Sequence, residues 1–156
     1  ALVVGGSGGI GLATAQKLSE RVKQVIIADH HEVKVSKNNI SYLAVELLNI
    51  DSIKNLAKEI ASKFGRITHL ICVAGGASEK EFNTLAKVPD EDISKTIDLN
   101  LKSNIFLIKY LQELFEKDIL MIGGSTSLNS MPHWPRFSNL KRGPSSAEFG
   151  LMNAAR

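Results

Sequence analysis

Leu2-Val3-Val4-Gly5-Gly6-Ser7-Gly8-Gly9-Ile10-Gly11-Leu12-Ala13-Thr14-Ala15-Gln16-Lys17-Leu18 opens the chain and decides its fold. The first three residues are an apolar run suited to a buried strand. Residues 5–11 are a glycine-dense loop, and residues 12–18 carry helical spacing. The order is strand, tight turn, helix. Glycines let the backbone turn sharply and approach a pyrophosphate closely, and the helix N-terminus then offers N–H groups and a positive dipole end to the anion. Gly5, Ser7, Gly9, Ile10 and Gly11 are therefore candidate residues of a phosphate cradle. The same string also fits a strand–helix connection that holds no ligand.

Working outward, Val25-Ile26-Ile27-Ala28 reads as a second strand that ends at Asp29. An acid about 20 positions after the glycines is where an adenosine ribose 2′-hydroxyl is gripped. A carboxylate there repels a 2′-phosphate, which favours NAD over NADP. His30 and His31 follow directly. They either soften that preference or are surface histidines of a loop.

The chain has 156 residues, enough for one domain spanning 1–156, and a hydrophobic share of 44% can fill a core. It starts almost inside the first strand and stops inside an apparent helix, so a domain incomplete at its C-terminus is expected. The net charge is +3. Lys54, Lys58 and Lys63 alternate with Asp51 and Glu59, which describes a solvated face and not a nucleic-acid stripe. The single cysteine, Cys72, permits no internal disulfide and suits a reducing, cytoplasmic setting. Neither a signal peptide nor a membrane-length apolar segment is seen, so no membrane partner is expected. No metal site is expected either.

Strand and helix periodicities alternate along the chain. Strands are expected at 2–4, 25–28, 41–45, 70–74 and 119–122, and helices at 10–19, from 51 to a cap at Gly65, and from 89 to 115. Residues 30–39 are too few and too polar for a crossover helix. The second helix would bury Ile53, Leu56, Ile60 and Phe64. The third opens on Pro89-Asp90-Glu91-Asp92, with acids at its positive end. Its stripe would be Ile93, Ile97, Leu101, Ile105, Ile108, Leu111 and Phe115. Continuously apolar strands imply burial on both faces, hence an α/β fold, a three-layer doubly wound parallel sheet of Rossmann-like type.

Together these residues resemble the short-chain dehydrogenase/reductase family over essentially the whole chain. Gly5-x-x-x-Gly9-Ile10-Gly11 is similar to that family's cofactor loop. Val73-Ala74-Gly75 stands where the family usually has Asn-Ala-Gly, with the Asn replaced. Residues 89–92 leading to Ile97-Asp98-Leu99-Asn100 look like the helix whose Asn helps to organise the active site. The resemblance implies NAD (NADP less so) as cofactor, held by Gly5, Ser7, Gly9, Ile10, Gly11, Asp29 and His30. It adds Glu46 and Leu47 near the adenine, and Ala74, Gly75 and Gly76 after strand four. It implies hydride transfer between a nicotinamide and a small carbonyl or alcohol, and pairing into homodimers or homotetramers. A Tyr acts as acid/base beside a Lys, a Ser after strand five orients the substrate, and the Asn supports a proton path. That places Asn100, Ser125 and Lys141 as candidate catalytic residues.

The catalytic end departs from the pattern. A tyrosine, whose ordinary pKa is about 10, needs a nearby cation to work near neutral pH. This chain has two tyrosines, Tyr42 in strand three and Tyr110 in the long helix, and neither is where the family puts its acid/base. Two placements of the Tyr-x-x-x-Lys motif compete. In one, Phe137 and Lys141 stand for it, twelve residues after Ser125, but Gly143-Pro144 would stop the helix too soon. In the other, Ser145-Ser146-Ala147-Glu148 is a capping box that opens the helix, and the motif falls on Pro144 and Glu148. Both leave the usual Tyr absent. Ser125 also fits a turn, Lys141 a solvated loop, and Asn100 a helix-internal hydrogen bond. Trp134 lines a substrate pocket or anchors a loop, and water or His133 would be the substitute proton donor. Three functions follow: an atypical short-chain oxidoreductase, a catalytically silent NAD-binding module, or a Rossmann-like methyltransferase. Gly9-Ile10-Gly11 and Val73-Ala74-Gly75 argue against the last.

Overall fold

The computed structural model describes residues 1–76 and 87–123. These described residues fall into two compact units, residues 1–74 with 106–122, and residues 75–76 with 87–105 and 123. The first unit holds β1 (Leu2–Val4), α1 (Gly9–Leu18), β2 (Val25–Asp29), β3 (Ile40–Ala44), α2 (Ile50–Lys63), β4 (Ile67–Cys72) and β5 (Phe115–Met121). The strands form one parallel sheet in the order β3-β2-β1-β4-β5.

β1 is central, and its alternating side chains serve two cores. Leu2 and Val4 pack with Ile53, Leu56 and Ile60 of α2 and with Leu107 and Leu111. Val3 packs on the opposite face with Ile27, Ala15 and Leu12 of α1. The sheet is therefore covered on both faces, as its apolar strands require. Strand order reverses at β1, with β2 on one side and β4 on the other. In open parallel sheets, ligands bind beyond the carboxyl ends of the strands at such a switch point. The loop after β1 and the residues after β4 meet there, where the N–H of Ala74 donates to the Val4 carbonyl at 3.1 Å.

No helix forms between β2 and β3; Val33 and Val35 of that segment tuck against the core instead. α2 starts just before the expected Asp51, because Asn49 caps it. The Asn49 side chain accepts from the N–H groups of Asp51 at 2.9 Å and Ser52 at 3.2 Å. Asn49→Ala should cost about 1 kcal/mol in a denaturant titration, with the fold unchanged, because those N–H groups lose their partner. Ile53, Leu56 and Ile60 are buried as expected, and Gly65 ends the helix at φ +74°.

Three expectations about β4 and β5 need correction. β4 starts at Ile67 and ends at Cys72, not 70–74, because its first residues are drawn into the ladder by β5. β5 starts at Phe115, not 119, and Phe115 pairs with Ile67 instead of lying on a helix. β5 is also not buried on both faces. Glu116, Lys117 and Asp118 are exposed, which suits the outermost strand among the described residues.

The long helix is not one uninterrupted winding. α3 (Asp90–Ile97) passes through a π-helical turn at Asp98–Lys102 into α4 (Ser103–Leu111). Pro89 precedes α3, and Asp90, Glu91 and Asp92 occupy its first turn. The wider turn changes the phase of the faces. Thr96, Asn100, Ser103 and Asn104 are buried, as are Leu107, Ile108 and Leu111, whereas Ile97 is 43% exposed. The expected apolar stripe thus holds only towards the end of the helix.

Candidate nucleotide site

Two glycines of the cradle, Gly5 and Gly11, leave no room for a side chain. Gly5 has φ +81°, and a Cβ on it would lie 2.4 Å from the Ala74 nitrogen. A Cβ on Gly11 would lie 2.0 Å from the Gly5 carbonyl oxygen. The loop and the start of α1 therefore close on each other backbone to backbone. Gly8 and Gly9 face open space. α1 begins on Gly8 with no side-chain cap and no acid in its first turn. Its first turn can therefore receive an anion on N–H groups and a positive dipole end. Ile10 beside them is 64% exposed.

Asp29, at the carboxyl end of β2, ties this loop down. Its Oδ2 accepts from the Ser7 N–H at 3.1 Å, and its Oδ1 accepts from the His31 N–H at 3.2 Å. His30 Nδ1 lies 3.0 Å from the same Oδ1. Burial works against the charge on Asp29. Hydrogen bonds from the Ser7 hydroxyl and from the N–H groups of Ser7, His31 and His30 outweigh it and hold the carboxyl below its usual range. Asp29 therefore keeps its charge to lower pH folded than unfolded. Its contribution is full above an ordinary Asp pKa of about 3.9 and is lost as pH falls through the folded value. Thermal unfolding of Asp29→Asn against the native chain should show a gap of about 1.5 kcal/mol at neutral pH. That gap should close as the pH drops below about 4.

Three other candidate residues lie in this unit. Glu46 is exposed, and its carboxylate accepts from the Leu48 N–H at 3.1 Å, closing its own turn. Leu47 packs against the core, as does Ala74.

In the second unit the fixed point is Asn100. It is buried, and its Nδ2 donates to the carbonyls of Gly76 at 2.7 Å and Thr96 at 2.8 Å. Its Oδ1 accepts from the Gly76 N–H at 3.0 Å. A Cβ on Gly75 would fall 2.7 Å from that same oxygen. Asn100 thus clasps both polar groups of one peptide segment. The Asn104 Nδ2 donates to the Asn100 carbonyl at 3.0 Å. Sequence reasoning passed over Asn104, although the Asn-x-x-x-Asn spacing puts both on one helical face. Tyr42, placed in strand three by the sequence but given no role there, donates its hydroxyl to the Asp29 carbonyl at 2.9 Å. Ser125 and Lys141 lie outside the described residues, as do His133, Trp134 and Phe137. Among the described residues no His, Cys, Asp and Glu cluster could hold a metal ion, and no helix is long and apolar enough to cross a membrane.

The chain belongs to the short-chain dehydrogenase family, whose model matches residues 1–146. It is 37% identical to an uncharacterized oxidoreductase of Saccharomyces cerevisiae over 105 residues, 65% of this chain and 33% of that protein. It is 37% identical to the 3-oxoacyl-[acyl-carrier-protein] reductase FabG of Rickettsia conorii over 113 residues, 68% of this chain and 44% of the relative. The chain thus spans less than half the length of these relatives. Among solved structures, a 3-oxoacyl-[acyl-carrier protein] reductase from Brucella melitensis superposes with a TM-score of 0.84 at 20% identity, covering 96% of this chain and 67% of that one. At that identity the likeness concerns the fold.

Proposed function

We propose that the chain is the dinucleotide-binding domain of an oxidoreductase that uses NAD, in preference to NADP, on a small carbonyl or alcohol substrate. The observation that carries this is the Ser7–Asp29 hydrogen bond, which joins an uncapped helix N-terminus to an ionised acid at the end of β2. Gly5, Ser7, Gly9, Ile10 and Gly11 would hold the pyrophosphate, and Asp29 with His30 the adenosine ribose. Glu46 and Leu47 would flank the adenine, and Ala74, Gly75 and Gly76 the remaining cofactor wall. The cradle fits such a group, since no atom of the chain lies within 4 Å of where a Cβ on Gly8 or Gly9 would stand. A bound nicotinamide supplies or accepts the hydride. Asn100 fixes the backbone at Gly76, and Ser125 and Lys141 would orient the substrate and support the proton's movement. The family setting further suggests a homodimer or homotetramer in a reducing cytoplasm.

A second function, a silent NAD-binding module, is favoured by the tyrosines. The Tyr42 hydroxyl is committed to the Asp29 carbonyl. Burial and the charges of Asp29 and Glu32 raise its pKa, opposite to what an acid/base needs. Tyr110 stacks against Phe106 under Lys54 and Lys109. Calorimetric titration with NADH, followed by NADH turnover over a panel of ketones and aldehydes, separates the two. Binding with turnover supports the enzyme, and binding without turnover supports the module. Absence of binding removes both.

A further inference from the structure

Two imidazoles stand where the carboxylate at the end of β2 would meet the ribose. His30 Nδ1 lies 3.0 Å from Asp29 Oδ1, and the His30 and His31 rings are 4.0 Å apart. His30 is 61% exposed, so its ring faces solvent or a ligand and is not a core group. Both Asp29 oxygens already accept from the chain. The local charge balance is set by few groups. Asp29 is anionic, Glu32 lies on the same loop, and the Tyr42 hydroxyl from β3 is bonded to the Asp29 carbonyl. The adjoining start of α1 brings the positive end of a helix with no acid in its first turn.

We infer that His30 and His31 make the choice between a ribose 2′-hydroxyl and a 2′-phosphate depend on pH. This rests on the nucleotide site proposed above. With both rings neutral, the Asp29 carboxylate dominates and repels a 2′-phosphate, so NAD(H) is bound. Histidine is the side chain whose charge changes most readily across the physiological pH range. Two protonated rings offset the carboxylates of Asp29 and Glu32, remove the repulsion of a 2′-phosphate and give its oxygens N–H donors. Histidine here does conditionally what a permanent guanidinium would do at all pH values.

The test is the ratio of NADPH to NADH dissociation constants, measured by fluorescence titration of the full chain from pH 8.5 to 5.5. In the native chain the ratio should fall about tenfold on acidification, the effect of one or two partly screened charge contacts. The 2′-phosphate itself titrates near pH 6, so the His30→Gln/His31→Gln double variant is measured in parallel and reports that contribution alone. Its ratio should stay high and nearly flat. His30→Arg should give a low ratio at both ends of the range. Equal pH dependence in the native chain and the double variant overturns the inference while leaving the nucleotide site standing. Failure of both cofactors to bind at any pH overturns both.

Discussion

Gly11→Ala should unfold at markedly lower denaturant and lose NADH affinity by at least about 100-fold. The reason is local and steric. The added carbon would sit 2.0 Å from the Gly5 carbonyl oxygen, far inside contact distance. Relief would require one backbone to move. Gly5 is itself pinned, because it holds φ +81° and backs onto the Ala74 nitrogen. Its own N–H donates to the Ala28 carbonyl at 2.8 Å. Overpacking a rigid contact costs about 1–3 kcal/mol, and more where neither side can yield, so a loss of about 3 kcal/mol is expected. Displacing the start of α1 also moves the N–H groups meant for the anion, hence the loss of affinity. Gly8→Ala is the control. Gly8 faces open space and has extended backbone, so it should lose less than about 1 kcal/mol. Guanidinium unfolding and NADH titration of both variants check this. Wild-type stability and affinity in Gly11→Ala would refute the cradle geometry.

What was legible in the sequence was local. The strand–loop–helix at 2–18 and Asp29 are set by neighbours a few residues away, and so is the buried face of α2. Each sits in the structure close to where its pattern put it. What escaped depends on partners distant in sequence or on a change of winding. Glu116-Lys117-Asp118 looks like a loop until Ile67 pairs with Phe115 and draws the charged run into an edge strand. Asn49 escaped because the capping signal was taken at Asp51. The apolar stripe from 93 to 115 assumed 3.6 residues per turn throughout. The π-helical turn at Asp98–Lys102 breaks that assumption, and nothing in the residues themselves announces it. The result is a helix that buries Thr96, Asn100, Ser103 and Asn104 in place of Ile97. Polar residues buried at the expense of apolar ones mark a conflict between local pattern and fold, and such conflicts concentrate at functional sites.

Asn100→Ala should cost about 3 kcal/mol and abolish most of whatever turnover the native chain shows. Asn100 is buried, and its side chain bonds twice to Gly76 and once to Thr96. Truncation takes one partner from the Gly76 N–H and from two carbonyls, and a buried polar group that loses its hydrogen bond costs about 1–3 kcal/mol, less where another partner or water takes its place. Asn100→Asp discriminates the clasp from mere packing, because it keeps the shape. An ionised Asp can still accept from the Gly76 N–H, but it presents an acceptor to the Gly76 and Thr96 carbonyls, where Asn presents a donor. Protonation restores one O–H donor. Asn100→Asp should therefore be about as unstable as the Ala variant at pH 8 and should recover part of the loss as the pH falls towards 5. A packing role alone would leave Asn100→Asp near native stability at both pH values. Denaturant titrations of the three proteins at the two pH values decide the matter, and the same samples, assayed for NADH binding, show whether the Gly76 backbone must be held for the cofactor to bind.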